Sequence, residues 1–338
     1  MASGPAPVIH QGRYSLIREL GSGSFGEVWL AHDNLQDDEV AIKLLGKHVH
    51  LDAALLETQI MTRLRHHQHV ITIRNVELRP PLPFIAMDFE PGGSLGEKLE
   101  QGKISMAEAL RYTREGLDGL AHAHDEGVIH RDIKPDNLLI DAQNRTVLSD
   151  FGIAEDTVRE FLAVGAVYAP HAAPELLAGA DCSRASDIFA MGCTMYRLLT
   201  GELPFPDKAA TEAGAFTDPH RLNPQIPMAV TRVVQTALAV DPDDRFEDAR
   251  QMLGVLTACR VARSWIRGDQ PGDLETWELD GSDGHYVLHL TEKARGGYRV
   301  KVTRDKGSGP RKVFQEDKDR RSQAERVRRK QLLEGIDG

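Results

Sequence analysis

The segment Val128–Ile140, VIHRDIKPDNLLI, followed by Asp150-Phe151-Gly152, limits what this chain can be more than any other stretch. Asp132, Lys134 and Asn137 stand at the spacing of a base, a cation and a metal ligand. An Asp accepts the proton of a hydroxyl that attacks phosphorus. A Lys two residues on neutralises charge on the transferred group, and an Asn amide oxygen holds a magnesium ion. Asp150 adds a carboxylate for magnesium with an aromatic side chain beside it. The plainer alternative, a turn-rich loop between strands, leaves the occurrence of both motifs at this separation unexplained.

Upstream, Gly21, Gly23 and Gly26 form G-x-G-x-x-G, followed by Val28. Glycine lets a backbone approach phosphate oxygens with no Cβ in the way. A dinucleotide-binding fingerprint needs a helix straight after the glycines. Here Tyr14–Leu20 reads as a strand before the turn Gly21–Val28, and Val28–His32 as a strand after it. A flap closing over a nucleotide fits better. Val40–Leu44 is a third strand and carries Lys43. That lysine reads either as a surface residue or as a group reaching phosphates under the flap, where it needs a carboxylate to orient it. Leu51, Leu55, Ile60, Met61 and Leu64 are at helical spacing, and Glu57 on that helix is the best candidate.

Val70–Leu78 and Phe84–Phe89 read as two further strands. After Pro91-Gly92-Gly93 the pattern turns helical. Ser105 and Glu108 form a capping box for one helix. Val128–Asp141 is a loop with short strands, and Asp187–Thr200 a buried helix ending at Gly201. Ala229–Val240 and Phe246–Ala262 are two more helices.

In order along the chain, these motifs resemble those of the eukaryotic-type serine/threonine protein kinase catalytic domain, in a bacterial-looking soluble form. The resemblance covers about residues 14–262 and includes APE at Ala173–Glu175, Asp187 in SDIFAMG and Arg245 in DPDDRF. It implies an α+β chain with the two-lobed protein kinase fold. A small β-rich lobe would span about 14–88 and a large helical lobe about 91–262, with ATP in the cleft between them. A small C-terminal α/β domain would follow over 265–338.

What the resemblance implies can be carried over residue by residue. Leu20, Gly21, Ser22, Gly23, Ser24, Phe25 and Gly26 would cover the nucleotide. Lys43 would contact the α- and β-phosphates and pair with Glu57. Val28, Ala41 and Leu139 would sandwich the adenine, and Met87 resembles the gatekeeper. The hinge Asp88-Phe89-Glu90 would offer backbone hydrogen bonds to the base. Asp132 resembles the catalytic base, and Asn137 and Asp150 would hold magnesium. Lys134 is the residue of serine/threonine-specific members. Glu175 and Arg245 would form a buried ion pair that braces the large lobe.

The chain departs from the family pattern before APE. The family often has Gly-Thr there, whereas this chain reads VGAVYAPHAAPE over Val164–Glu175. If Gly165 is the family glycine, Ala166 stands in place of the threonine and the stretch to APE is two residues longer. Arg131, just before the base, suits pairing with an activation-loop phosphate. Thr157 would carry it, or Glu155, Asp156 or Glu160 would mimic it. Constitutive readiness and phosphate switching stand level on this reading.

Charge divides the chain. The 338 residues carry 51 acidic and 41 basic side chains, a net of -10. From Lys293 to Gly338 there are 15 Lys and Arg against 7 Asp and Glu, leaving 26 basic and 44 acidic side chains in the first 292 residues. Beyond about Ser264 the periodicity becomes two-fold. Trp277–Leu279, Tyr286–Leu290 and Tyr298–Thr303 read as strands, with Tyr298, Val300 and Val302 on one face. Asp317–Leu333 reads as a highly charged helix. Its Arg320, Arg321, Arg326, Arg328, Arg329 and Lys330 are not confined to one stripe, so a solvated helix is expected first. Docking on the kinase part or its substrate comes second, and an acidic partner of the basic C-terminal part is a further reading. Nucleic acid is weakest, since no aromatic residue lies within the helix to stack on bases.

Other readings narrow the class. No apolar run approaches the roughly 18–20 residues of a membrane helix. The start shows no basic stretch followed by an apolar block, so no secretory signal is expected. Cys182, Cys193 and Cys259 are odd in number and widely spaced, which speaks for neither a disulfide framework nor a zinc knuckle. A cytoplasmic setting and no membrane partner are expected. His48, His50, His66, His67 and His69 cluster, but a metal site needs converging geometry, and a loop leaving the helix is the preferred reading.

The activity expected is magnesium-dependent transfer of the ATP γ-phosphoryl to Ser or Thr hydroxyls of a protein substrate. The alternatives are a catalytically idle scaffold whose basic C-terminal part binds a partner, and a small-molecule phosphotransferase.

Overall fold

The computed structural model describes residues 8–9, 12–23, 26–45, 64, 67–78, 82–102, 104–151, 170–223, 225–259, 266–268, 273–281, 284–294 and 296–334. Alternating apolar residues build the first sheet. Its strands are β1 (Val8–Ile9), β2 (Tyr14–Gly23), β3 (Gly26–Asp33), β4 (Asp38–Leu45), β5 (Ile73–Glu77) and β6 (Phe84–Asp88). They lie in the order β1-β2-β3-β4-β6-β5, every neighbour antiparallel. The two-fold period of a strand sends alternate side chains to opposite faces. On β4, Val40 and Ile42 pack with Tyr14, Leu16, Ala31, Phe84 and Ala86 on one face. Ala41 and Leu45 join the main core on the other. Lys43 belongs to this second face and is buried.

The glycine hairpin is longer than expected. β2 runs on through Gly23, which pairs with Gly26 at the start of β3. Only Ser24 and Phe25 are left for the turn, and they lie outside the described residues. The register shifts between Leu16 and Arg18 and between Glu19 and Gly21, and such bulges sharpen the twist of a hairpin. Of the helix expected over Leu51–Leu64, only Leu64 is described, and it is buried. β5 is shorter than the run Val70–Leu78 because Val70 forms a parallel bridge to Leu148 instead.

The helical part begins with α1 (Leu95–Glu100) and α2 (Met106–Asp125). Both start at a capping box. Ser105 Oγ accepts the Glu108 N–H at 3.3 Å, and the Glu108 carboxylate accepts the Ser105 N–H at 3.0 Å. Ser94 and Glu97 repeat the arrangement at 3.1 and 3.0 Å. α1 is under two turns long, too short to leave a periodic signal. Next come a 3-10 turn over Pro135–Asn137 and the pair β7 (Leu138–Ile140) and β8 (Thr146–Leu148). Then follow α3 (Pro174–Leu177), α4 (Arg184–Thr200), α5 (Lys208–Ala213), α6 (Pro219–Leu222), α7 (Met228–Ala237) and α8 (Ala249–Ala258).

α4 begins three residues before the expected Asp187, since Ser183 caps it against Ser186. It ends at Gly201, whose φ of +80° suits a left-handed C-cap. α7 and α8 are shorter than expected. Asp248 caps α8 by accepting the Gln251 N–H at 2.7 Å, which moves its start past Phe246. α4 is buried nearly all round, with Ile188, Phe189, Met191, Cys193, Met195 and Leu198 in the main core. On α2, Gly119 is where the chain after Leu64 docks: a Cβ there would sit 2.3 Å from the His69 carbonyl oxygen.

The C-terminal strands form a separate antiparallel sheet with its own apolar cluster. They are β9 (Ile266–Gly268), β10 (Glu275–Gly281), β11 (Gly284–Glu292), β12 (Tyr298–Asp305) and β13 (Arg311–Lys318), in sequential order. α9 (Arg321–Glu334) follows. Its Ala324 is buried with Trp277, Tyr286, Leu288, Leu290, Val300 and Val302. The helix is therefore not the solvated rod expected from its charge. Arg328 is only 6% exposed and forms an ion pair with Glu275 of β10. β13 escapes a sequence reading because RKVFQEDK looks as charged as the helix; charge of this kind suits an edge strand, where it discourages pairing with another chain. Asp317 belongs to β13 and pairs with Arg299 at 2.8 Å, so the helix starts later than expected.

Candidate active site

The loop before β7 is fixed by one buried carboxylate. Asp187, 1% exposed, accepts the His130 N–H at 2.8 Å, the Arg131 N–H at 2.9 Å and the His124 Nε2–H at 3.0 Å. These bonds hold Arg131 at a φ of +74°, a strained conformation for a residue with a Cβ. His130 donates Nε2–H to the Ser149 carbonyl at 2.9 Å and accepts the Asp132 N–H on Nδ1 at 3.3 Å. One donor and one acceptor make a neutral ring, and burial lowers its pKa below the usual histidine value. The ring thereby ties the backbone of Asp132 to the residue preceding Asp150. The sequence reading placed Asp187 in a motif without this role, because its partners are more than fifty residues away in sequence. Asp187→Asn would set an amide N–H against a backbone N–H. It is expected to destabilise the fold by about 2–3 kcal/mol and to lower turnover at least ten-fold, as read by thermal melting and steady-state kinetics.

The predicted chemical groups converge on this loop. Lys134 Nζ lies 2.7 Å from the Asp132 carboxylate. Asn137 donates Nδ2–H to the Asp132 carbonyl at 2.7 Å and to its carboxylate at 3.0 Å. The Asp132 side chain is 36% exposed and so remains reachable by an acceptor. Lys43 Nζ, from β4, lies 2.7 Å from the Asp150 carboxylate. Enclosure pushes the Asp150 carboxyl up, but the Lys43 charge and hydrogen bond outweigh it and hold its pKa below the usual aspartate value. Asp150 sits at a φ of +53°, again left-handed. Glu57 lies outside the described residues, so the expected Lys43–Glu57 pair does too.

Beside these groups opens a cleft of about 480 Å³, a size suited to a small-molecule ligand. Leu20 and Gly21 line it from β2, Val28 from β3, Ala41 from β4 and Leu139 from β7. Met87, Asp88, Phe89 and Glu90 line it at the end of β6, and Asp150 also lines it. Gly26 opens β3 opposite Gly23, and Ser22 pairs with Glu27 in the same hairpin. The walls suit an aromatic base. The oxygens of Asp150 and of the Asn137 amide are hard donors of the kind magnesium takes, with phosphates and water completing its shell. Arg18, Glu97, Gln101 and Asp136 also line the cleft; Asp136 falls within the Val128–Ile140 motif, but the sequence reading assigned it no role.

Two further expectations can be placed. Arg245 is fully buried and forms a two-bond ion pair with Glu175 at 2.8 and 2.7 Å. It also donates to the carbonyls of Ala185, Ala239 and Val240. Of the clustered histidines, His48, His50 and His66 lie outside the described residues. His67 stacks on His122 at 4.7 Å and approaches Asp118 at 3.6 Å, while His69 Nδ1–H donates to the Thr146 carbonyl at 2.7 Å. The pair fastens the loop to α2 and β8. Among the described residues no group of three or more His, Cys, Asp or Glu is arranged to hold a metal ion.

Glu90 lies just past the end of β6, in the wall of the cleft. Burial, then the neighbouring Asp88 and Asp141, push its carboxyl up to about 7. A raised carboxyl contributes stability below its unfolded value that is lost as pH rises through the folded one. The full shift is worth about 3 kcal/mol, which partial exposure reduces to about 1–2. Glu90→Gln should therefore match the parent chain at pH 4 and be more stable by about 1–2 kcal/mol at pH 8, measured by denaturant unfolding.

A β-rich part and a helical part thus bring the Asp132 carboxylate, the Lys134 ammonium and the Asn137 amide together, with Lys43 on Asp150. The protein kinase domain model matches residues 14–255, and the chain belongs to that family. It is 32% identical over 258 residues to serine/threonine-protein kinase PrkC of Bacillus subtilis, a match covering 71% of this chain and 39% of that protein. It is 32% identical over 257 residues to CBL-interacting serine/threonine-protein kinase 7 of Arabidopsis thaliana, covering 72% of this chain and 58% of the other. Serine/threonine-protein kinase PknJ of Mycobacterium tuberculosis is 34% identical over 258 residues, covering 70% and 43%. The match thus spans about two-fifths to three-fifths of these relatives. No helix of the described residues is long and apolar enough to cross a membrane.

Proposed function

We propose that the chain is an ATP- and magnesium-dependent serine/threonine protein kinase. The observation that carries this reading is the Asp132 carboxylate, held by Lys134 and Asn137 at 2.7 and 3.0 Å, on a loop tied through His130 to Ser149, the residue before Asp150. Phosphoryl transfer asks for positioning and electrostatic stabilisation more than covalent chemistry. Asp132 takes the proton of the acceptor hydroxyl. Lys134 offsets charge on the transferred group. Lys43 leaves Asp150 for the α- and β-phosphates and is oriented by Glu57, while Asn137 and Asp150 hold magnesium. Gly21, Gly23 and Gly26, with Ser22, Ser24 and Phe25 between them, close over the phosphates. Val28, Ala41 and Leu139 hold the adenine, with Met87 beside it and the backbone of Asp88–Glu90 at its edge.

The acceptor is a protein, since Lys134 and the Glu175–Arg245 brace both follow the serine/threonine protein kinase pattern. The idle-scaffold alternative has only the altered VGAVYAPHAAPE loop in its favour. The catalytic unit ends near residue 262, and the basic unit from 265 contacts an acidic partner in a cytoplasmic setting. The test is incubation of the full chain with labelled ATP and magnesium, then mass spectrometry of the chain and of added basic and acidic test proteins. Phosphoserine or phosphothreonine is expected. No transfer to any protein, with nucleotide still bound, would favour the scaffold.

A further inference from the structure

We propose that a second cavity, sharing the hinge as a wall with the nucleotide cleft, binds a small organic cation, an amine or guanidine, through the carboxylate of Glu90. Asp88, Phe89, Glu90 and Pro91 line both cavities. The second has a volume of about 330 Å³, within the range of ligand pockets.

Its charged groups can be paired off. Arg74 donates Nε–H to Asp88 at 2.5 Å and also pairs with Asp38. Arg145 donates Nε–H to Asp141 at 2.7 Å, and its remaining N–H groups reach Gln68 at 3.4 Å and Gln143 at 3.1 Å. Both guanidinium groups are thus neutralised by aspartates. His67, also in the wall, has its pKa lowered by burial, against the pull of Asp118. Glu90 is left over. Its carboxylate has no ion pair or hydrogen bond among the described residues.

This accounting selects the ligand. An anion would meet Asp88, Glu90 and Asp141 with both arginines already engaged. A bare metal ion would find no three converging ligands among the described residues. An ammonium or guanidinium group neutralises Glu90, and its spare N–H groups meet the side-chain oxygens of Gln143 and the two aspartates. Burial, then the charges of Asp88 and Asp141, raise Glu90 to about 7, and the nearby Arg145 and Arg74 offset this only in part.

Calorimetric titration of the full chain with agmatine tests this. Saturable one-to-one binding is expected at pH 8, weaker by about ten-fold or more at pH 5.5, where Glu90 holds a proton. Glu90→Gln should lose at least ten-fold in affinity at pH 8 while melting cooperatively. Should that variant misfold, Ala142→Phe decides: it narrows the cavity from the exposed turn after β7, leaves every charge in place, and should also weaken agmatine at least ten-fold. No saturable binding by the parent chain at pH 8, or unchanged affinity in the folded variant, would overturn the proposal.

Discussion

Asp132→Asn is expected to lower phosphoryl transfer by about 10³-fold, within the range a positioned base contributes, and to leave the melting temperature nearly unchanged. The carboxylate is 36% exposed and its ion pair with Lys134 is open to solvent. Pairs of that kind stabilise a fold by about 1 kcal/mol at most. An amide of the same shape retains an oxygen for Lys134 and Asn137 but cannot take a proton from the acceptor. Activity and stability therefore separate at this residue. Turnover and calorimetric melting of the same preparation check both halves, and turnover within three-fold of the parent chain would remove Asp132 from the role of base.

Arg245→Ala is expected to do the reverse and strike the fold. The guanidinium is fully buried and makes five hydrogen bonds, two to Glu175 and one each to the carbonyls of Ala185, Ala239 and Val240. Removing it leaves the mostly enclosed Glu175 carboxylate without its cation and three carbonyls without their donor, which costs about 3–5 kcal/mol. At about 2–4 °C per kcal/mol for a domain of this size, the melting temperature should fall by about 6–20 °C. Arg245→Lys should recover only part, because an ammonium cannot make the paired contact with Glu175 while reaching the three carbonyls. Calorimetry of both variants reads the difference.

The convergence of Asp132, Lys134 and Asn137 was legible in the sequence because it is set by short spacings. Asp132, Lys134 and Asn137 fall within six residues, so one loop presents all three. The supports were less legible. Asp187 acts through backbone N–H groups of His130 and Arg131, and nothing local marks a carboxylate for that task. The second cavity is invisible in sequence because Arg74, Glu90 and Arg145 come together only through the fold. In the C-terminal sheet, Val300 and Val302 were placed on one face correctly, since strand alternation is a local property. The docking of α9 was not, because a buried Ala324 and an inward Arg328 give no apolar stripe. β13 was missed for a related reason, its charge masking a strand that needs only Val313 and Phe314 to pack.

The central claim is that Lys43, Asp132, Asn137 and Asp150 gather around a magnesium–nucleotide complex. It is tested most directly by a crystal structure of the full chain with magnesium and a non-hydrolysable ATP analogue. The account predicts the base between Val28, Ala41 and Leu139, the Lys43 ammonium moved from Asp150 to the phosphates, and magnesium held by Asn137 and Asp150. A nucleotide bound elsewhere, or one in the cleft with its metal held by neither residue, would contradict it.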